Sequence, residues 1–140
     1  MARSKNRLSR AEMRGLELQV GFLQGLLKRD SGYIEALEEL ADLQMQLGRV
    51  EEVVGLDERL KALRPSDPEV RYNLACSLTL SRKFEQAAAE LSSALELGFN
   101  DVHSLQSDPD LADLRAHPAF RPIRARLRGL KGSAEGPSNG

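Results

Sequence analysis

The side chains best suited to chemistry in this sequence are its single cysteine, Cys76, and its two histidines, His103 and His117. A cysteine becomes a nucleophile when a nearby base or cation stabilises its thiolate. The residues three and four positions from Cys76 include no base, and no local motif joins it to either histidine. A lone cysteine also lacks the partner that a disulfide or a CxxC site requires. We therefore expect Cys76 to have a structural or groove-lining role.

The sequence also lacks the motifs of metal and cofactor sites. Neither histidine has a second histidine or carboxylate at the spacing of a motif such as HExxH, and no GxxxxGK[ST] phosphate loop is present. Asp108, Asp110 and Asp113 suggest a cation site by composition, but aspartate at a helix N-cap and in a first turn ordinarily complements the helix dipole. We predict no catalytic residue, no metal and no cofactor, and hence a protein that is not an enzyme.

The amino-acid composition limits the class of protein to which these residues belong. Hydrophobic residues make up 41% of the 140 residues and charged residues 29%, which is typical of one soluble globular domain. No apolar run approaches the roughly 20 residues that cross a bilayer, and the basic start has no apolar segment of a secretory signal behind it. We expect a cytoplasmic protein without a membrane span.

Charge is unevenly distributed along the chain. Residues 1–14 hold five basic side chains and one acidic side chain, and residues 115–131 hold six basic and no acidic ones. Residues 15–114 hold nineteen acidic and nine basic side chains, a net charge of −10. A duplex-DNA binder would carry a basic stripe on its folded body. A nucleic-acid role for the basic ends is therefore the less favoured alternative to a solvated basic face.

Turn and capping residues divide the chain into a series of helices, with no strand-like alternation. Helix 1 begins at the S-x-x-E capping box of Ser9 and covers 9–30. Residues 1–8 and 132–140 are predicted to be disordered. Pro122 predicts a kink or a later start in the last helix. The remaining predicted helices cover 33–47, 50–63, 68–81, 84–97 and 108–115, with a connector at 99–107 that allows one helical turn and a last helix ending near 130.

The helices repeat at a fixed spacing. A shift of 34 residues places Leu40 on Leu74 and Val50 on Phe84, whereas helix 1 fits helix 3 at a shift of 33. Helix 1 therefore matches the second helix of an incomplete earlier repeat. A helix pair cannot bury its apolar faces alone, and stacking neighbouring pairs builds a continuous core.

The segment YNLACSLTLSRKFEQAAAELSSALELGFND resembles the tetratricopeptide repeat family in its order of large and small residues. The stretch 72–120 is similar to the terminal "end-of-group" repeat of bacterial members. The resemblance implies an all-α fold, a short helical-hairpin solenoid with C-terminal capping helices, in one domain over 9–131. The repeats would be 34–67 and 68–101, with capping helices over 108–130. Gln44 and Asp57 stand where the family has bulky apolar residues, which predicts looser packing. The matching positions are Leu74, Ala75, Phe84, Ala87, Leu91 and Ala94.

The resemblance also implies a scaffold that binds another protein through a concave groove. The acidic face of helix 2 favours a basic protein or peptide partner, and a plain solvated acidic face is the alternative. Asn73 alone matches the family pattern for gripping a C-terminal carboxylate, so that binding mode is not expected. The groove positions implied by the resemblance are Glu35, Glu38, Glu39, Asp42, Met45, Glu69, Tyr72, Asn73 and Cys76.

Helix 1 carries a wider apolar surface than one core needs. Two adjacent stripes together span about 200°, against the roughly 100° of an ordinary surface helix. The first stripe, formed by Leu16, Val20, Leu23 and Leu27, is expected to pack on helices 2 and 3. The second, formed by Leu18, Phe22 and Leu26, is a possible interface. It predicts either a homodimer, and thus a subunit that assembles through helix 1, or the docking of a partner helix.

Overall fold

A computed structural model describes the backbone of residues 7–135 and the side chains of residues 7–129. Within that range the protein is all-helical, with neighbouring helices packed in pairs and no strand. Two short 3₁₀ turns, Pro109–Leu111 and Pro118–Phe120, interrupt the C-terminal part. The α-helices are α1 (Arg10–Arg29), α2 (Ile34–Gln46), α3 (Val50–Leu63), α4 (Pro68–Leu80), α5 (Phe84–Glu96), α6 (Val102–Ser107), α7 (Ala112–Arg115) and α8 (Arg121–Glu135).

Helix α1 begins at a reciprocal capping box. The Ser9 hydroxyl accepts a hydrogen bond from the Glu12 backbone N–H at 3.1 Å, and the Glu12 carboxylate accepts one from the Ser9 N–H at 2.9 Å. Two backbone donors that a helix start leaves unpaired are thereby satisfied. Lys28 and Arg29 lie in the last turn, where the helix dipole favours positive charge. The helix start predicted from the S-x-x-E spacing is confirmed.

The pairs α2–α3 and α4–α5 are offset by the same number of residues along the chain. Ile34 and Pro68 begin the first helix of each pair, and Val50 and Phe84 begin the second. The chain leaves α2 and α4 by matching turns. Each turn has one residue of positive φ, with 76° at Gly48 and 65° at Arg82. The next residue donates its backbone N–H to the carbonyl five positions earlier, at 2.9 Å in both turns; the pairs are Arg49 with Gln44 and Lys83 with Leu78.

The buried side chains form two interlocked cores. The N-terminal core lies among α1, α2 and α3, and the C-terminal core lies between the α4–α5 pair and the helices that follow it. Val70 of α4 belongs to the N-terminal core, and Val54 of α3 belongs to the C-terminal one. The boundary between the two helix pairs is therefore packed across, which holds α2, α3 and α4 in a fixed arrangement.

A part-buried ion-pair network joins three successive helices beside this boundary. Glu90 of α5 accepts hydrogen bonds from Lys61 of α3 at 2.5 Å and from Arg71 of α4 at 3.1 Å. Arg71 also donates to the carbonyl of Pro65 in the α3–α4 connection. Because Glu90 is largely shielded from water, loss of either cation would leave a poorly solvated carboxylate.

The C-terminal region contains more helix than the sequence predicted. The connector at 99–107 contains a six-residue helix, α6, capped by the Asp101 side chain. The predicted disordered tail begins too early, since α8 continues to Glu135. Once a helix exists, each added residue gains a hydrogen bond, so serine and glycine need not end it. Residues 136–140, and residues 1–6 of the predicted disordered N-terminus, lie outside the described residues.

Pro122 occupies a position that tolerates proline. A 3₁₀ turn at Pro118–Phe120 precedes α8, which begins at Arg121, so the proline falls in the first helical turn. Backbone N–H groups there have no partner within the helix, and the missing donor of proline removes nothing. Of the two predicted outcomes, a kink or a later start, the structure adopts the later start.

Candidate functional site

An open depression of about 270 Å³ lies where α2, α3 and α4 meet. Two exposed carboxylates of α2, Glu38 and Asp42, lie on its rim. Exposed Asn73 of α4 contributes an amide from the opposite helix. The apolar part of the lining is formed by Ala41, Leu60 and Val70, all of them buried.

The helical period explains why α2 lines this depression with acidic residues. Glu38, Ala41 and Asp42 are spaced three and four residues apart, so they share one face of the helix. Leu37 and Leu40 lie to one side of it and are buried, together with Ala41, in the N-terminal core. One amphipathic helix therefore anchors itself with its leucines and presents two carboxylates to the depression.

Asp57 of α3 adds a third carboxylate to the lining and was not predicted as a site residue. Its side chain is 1% exposed, and its Oδ2 accepts a hydrogen bond from the Ser77 hydroxyl at 2.9 Å. The sequence signal was present, because a carboxylate stands where the repeat pattern has an apolar residue. Gln44, the other such departure, is also buried, and its Oε1 accepts a hydrogen bond from Arg49 at 3.1 Å. Both polar side chains are thus hydrogen-bonded within the fold.

The structure brings together part of the predicted groove set. Glu38, Asp42 and Asn73 line the depression described above. Exposed Glu39 lines a different depression, beside α1. The remaining exposed members of the predicted set are Glu35 and Glu69.

Three residues that were predicted to line the groove are buried, so the predicted groove role is wrong for them. Met45 packs in the N-terminal core, and Tyr72 and Cys76 belong to the C-terminal core. The cause on α4 is the segment that follows α5, because the turn at Pro109–Leu111 packs against α4. Since none of the three side chains faces solvent, a partner cannot contact them without opening the core.

Tyr72 and Asp108 form the polar centre of that covered face. The Tyr72 hydroxyl donates to Asp108 Oδ2 at 2.5 Å, and its ring stacks on Phe99 with centroids 4.4 Å apart. Burial, aided by the neighbouring Cys76 thiol and the Asp108 carboxylate, raises the pKa of the Tyr72 phenol far above its usual range. Asp108 Oδ1 accepts the backbone N–H of Asp110 at 2.9 Å, which is the predicted capping role. The cluster fixes the cap on α4.

The candidate nucleophile and bases have structural surroundings. The Cys76 Sγ atom lies 4.0 Å from Asp108 Oδ2, a carboxylate that disfavours a thiolate nearby. His117 Nδ1 accepts the backbone N–H of Ala119 at 3.0 Å, and its ring stacks on Phe84. His103 is exposed on α6. His117 thus caps the turn before α8.

The second apolar stripe of α1 is largely open to solvent. Leu18 is 77% exposed and Phe22 67% exposed, whereas Leu26 is half-buried. The first stripe packs inward through Val20, Leu23 and Leu27. An apolar depression of about 290 Å³ adjoins the exposed stripe and is lined by Leu18, Gln19, Phe22, Leu23 and Glu39.

The basic helix α8 is amphipathic. Ile123 and Leu127 are buried in the C-terminal core. Two of its arginines contact the rest of the chain, since Arg124 donates to the carbonyl of Arg115 at 2.8 Å and Arg126 lies 4.0 Å from Glu96. The helix therefore packs as a cap and keeps an exposed cationic surface.

Neither a membrane-spanning helix nor a cluster of metal ligands is present among the described residues. Over residues 7–135, no helix combines the length and apolarity needed to cross a bilayer. Among the side chains of residues 7–129, no three histidine, cysteine, aspartate or glutamate residues are grouped to hold a metal ion.

Comparison with known proteins gives a distant likeness and no matching family model. No protein-family model matches the sequence. The chain is 25% identical, over 136 residues, to a chloroplastic protein of Arabidopsis thaliana. The alignment covers 87% of this chain and 41% of that protein, so the chain spans less than half of its relative's length. At this identity the likeness assigns no function.

Proposed function

We propose that this chain is a non-enzymatic interaction module of the tetratricopeptide type, which binds a basic segment of another protein. In this proposal α2–α3 and α4–α5 are successive repeats, α1 corresponds to the second helix of an earlier repeat, and α6–α8 form the cap. The equal offset of the two pairs and their matching turns at Gly48 and Arg82 support the repeat assignment.

One observation carries the binding proposal: the carboxylates of Glu38, Asp42 and Asp57 line a single open depression. Glu38 and Asp42 are exposed carboxylates on one concavity, and like charges placed in this way raise the local negative potential, because the low-dielectric walls focus the field. A cation in the depression lowers that repulsion. A lysine or arginine side chain of a partner is therefore the favoured occupant.

The apolar lining narrows the kind of cation further. Ala41, Leu60 and Val70 form it, between the charged rims. Lysine and arginine combine a charged head with a hydrocarbon stem that gains from apolar contact. Arginine also presents a fork of donors that can bridge two carboxylates. At about 270 Å³, the depression lies below the ~300–1,000 Å³ of pockets for drug-sized ligands, and suits one or two side chains of a peptide.

A site-resolved titration tests this proposal. The probe is the acetylated, amidated peptide GRGRGRG, with GQGQGQG as its neutral counterpart, added to isotopically labelled protein and followed by NMR. We expect the arginine peptide to shift amide signals of α2 and α4 around Glu38, Asp42 and Asn73. Binding should weaken as salt is raised, because exposed charges are screened. The glutamine peptide should shift none of these signals.

Charge reversal supplies the matched comparison. Glu38→Lys with Asp42→Lys should weaken binding of the arginine peptide about 10-fold or more, as like charges then meet. Glu58→Lys with Glu85→Lys changes the net charge equally at exposed positions outside the depression, and should alter the affinity by less than about 3-fold. If both double variants weaken binding to the same extent, the peptide responds to net charge alone and the site is wrong.

A further inference from the structure

The exposed face of α1 carries a symmetric pattern of residue sizes. Gly15, Leu18, Phe22 and Gly25 are spaced by three, four and three residues, so they lie on one face of the helix. Read from either end, the order is small, large, large, small. The pattern is centred level with Val20, whose own side chain is buried on the opposite face.

We propose that this stripe is a self-complementary interface, through which α1 packs antiparallel against α1 of a second copy of the chain. A two-fold axis level with position 20 pairs Leu18 of one copy with Phe22 of the other, and Gly15 with Gly25. An interface between identical chains related by a two-fold axis must match itself in this way. A stripe without this symmetry would place a large side chain opposite a small one, and the two-fold axis would repeat that mismatch at the other end.

The two glycines are the part of the pattern that the single chain does not explain. A Cβ atom added at Gly15 or Gly25 would meet no atom within 4 Å, so neither glycine is needed for packing inside the chain. Glycine in a helix interior is destabilising relative to alanine. At an interface, however, it allows two helix backbones to approach more closely than bulkier side chains do. Glycines on both sides of the Leu18–Phe22 contact would let the large side chains interlock.

The structure provides a place for the large side chains of the second copy. The apolar depression of about 290 Å³ adjoins Leu18 and Phe22 and extends to Glu39 of α2. In the antiparallel register, Phe22 of the second copy comes level with Leu18, beside this depression. The two-fold axis repeats the same contact in the other copy. An unrelated apolar partner could contact Leu18 and Phe22, but it would give no reason for the symmetric glycines.

The flanking charges predict how this association responds to salt. Arg14 and Lys28 lie on the same side of the stripe, and the antiparallel pairing brings Arg14 of one copy near Lys28 of the other. Screening of these like charges should strengthen the pairing as salt is raised. The expected sign is opposite to that for a basic peptide in the acidic depression, so the two surfaces can be distinguished in one protein.

Sedimentation equilibrium of the full 140-residue chain, at protein concentrations from micromolar to about 500 μM, tests the proposal. A single helix-pair contact is small, so we expect a dimer with a Kd of about 1–100 μM. Leu18→Gln with Phe22→Gln should raise that Kd at least about 10-fold, with helicity unchanged by circular dichroism. A wild-type chain that stays monomeric throughout would overturn the proposal. So would a double variant that unfolds more easily while its association is unchanged, since the stripe would then be core.

A substitution at Gly25 and a matched control at Gly55 distinguish close helix packing from nonspecific association. Gly25→Gln should weaken the dimer about 10-fold, because its side chain occupies the space of Gly15 of the second copy. Gly55→Gln makes the same change on α3, at another helical glycine with nothing within 4 Å, and should leave the Kd within about 2-fold. Equal effects of the two changes would contradict the proposed interface.

Cross-linking determines the direction of the pairing. Ala11→Cys and Arg29→Cys, at exposed positions of the same helical face nine residues either side of position 20, are made separately and treated with a thiol-reactive cross-linker about 10 Å long, comparable to the distance between packed helices. A mixture of the two variants should give cross-linked dimers, and each variant alone should give few. If each variant cross-links to itself and the mixture adds nothing, the helices pair parallel and the two-fold arrangement is wrong.

Discussion

The two ends of the helical stack differ in how far their outer faces are covered. At the C-terminal end, three further helices and two 3₁₀ turns follow the α4–α5 pair, and Leu105, Leu111 and Leu114 among them are completely buried. At the N-terminal end, α1 stands alone beside α2, and Leu18 and Phe22 remain mostly exposed. Among residues 7–135, further helices cover the outer face of the stack at the C-terminal end, whereas the outer face of α1 is left open at the N-terminal end.

Equivalent positions in the two pairs acquire different roles as a result. A shift of 34 residues places Glu38 on Tyr72 and Asp42 on Cys76. On α2 these positions are exposed and acidic, whereas on α4 they are buried beneath the cap. The difference shows that equivalence along the sequence does not determine access. What packs against a helix decides whether its face binds a partner or becomes core.

The largest effect should come from matched leucine truncations at the two ends. Leu111→Ala leaves a cavity in the cap and should lower the free energy of unfolding by about 3–4 kcal/mol. Leu18→Ala removes an exposed side chain and should change it by less than about 0.5 kcal/mol. Urea denaturation of both variants at a low, fixed protein concentration measures the difference. Similar losses for the two would mean that α1 is as well covered as the cap.

A smaller effect should follow from removing the hydroxyl that links α4 to the cap. Tyr72→Phe leaves the Asp108 carboxylate without that donor and should cost about 1–3 kcal/mol at neutral pH. Tyr33→Phe, at an exposed position, should cost less than about 0.5 kcal/mol. Chemical denaturation of the two variants at pH 7 makes the comparison. Equal, small losses would show that the bond does not hold the cap.

The same tyrosine predicts a dependence on alkaline pH. Its folded-state pKa is raised, so the folded protein keeps the phenol proton when the unfolded chain releases it near pH 10. This contribution to stability is complete below about pH 10 and is lost as the pH rises further. Unfolding measured from pH 8 to 11 should show a shallower alkaline decline in Tyr72→Phe than in the wild type. An identical decline would contradict the assignment.

The smallest effect should come from the turns that the two pairs share. Arg82 adopts the left-handed conformation that glycine adopts at position 48. Arg82→Gly should therefore raise the free energy of unfolding by about 0.5–1 kcal/mol, and Gly48→Ala should lower it by about 1 kcal/mol. Thermal unfolding of both variants tests the pair. A loss of stability in Arg82→Gly would show that the contacts of Arg82 with Phe84 and Asp113 outweigh the backbone strain.

The helical framework could be predicted because its signals are local. The capping box at Ser9 and the proline at position 68 mark helix starts that depend on neighbouring residues alone. The charged face of α2 also followed from the helical period, since Leu37 and Leu40 determine which side faces inward. These features need no knowledge of what packs elsewhere in the chain.

Access to α4 could not be predicted in the same way. Tyr72 and Cys76 have the spacing of groove residues, and their burial depends on a segment more than thirty residues later that folds back over them. The hydrogen bond from Tyr72 to Asp108 is such a long-range contact, and no local sequence pattern predicts it. Asp57 was missed for a related reason, because its partner Ser77 lies on another helix.

The order in which the cap is made has a consequence for folding during synthesis. Leu91 of α5 is buried in the same core as Leu127 of α8, yet it is translated well before it. At ~5–20 residues per second, α5 spends about two to seven seconds without that cover. Throughout this interval its apolar face is open to chaperones and to neighbouring nascent chains. We expect a ribosome-bound chain halted when α5 has emerged from the ribosome, but α8 has not, to be captured by chaperones. A chain from which α8 has also emerged should escape them.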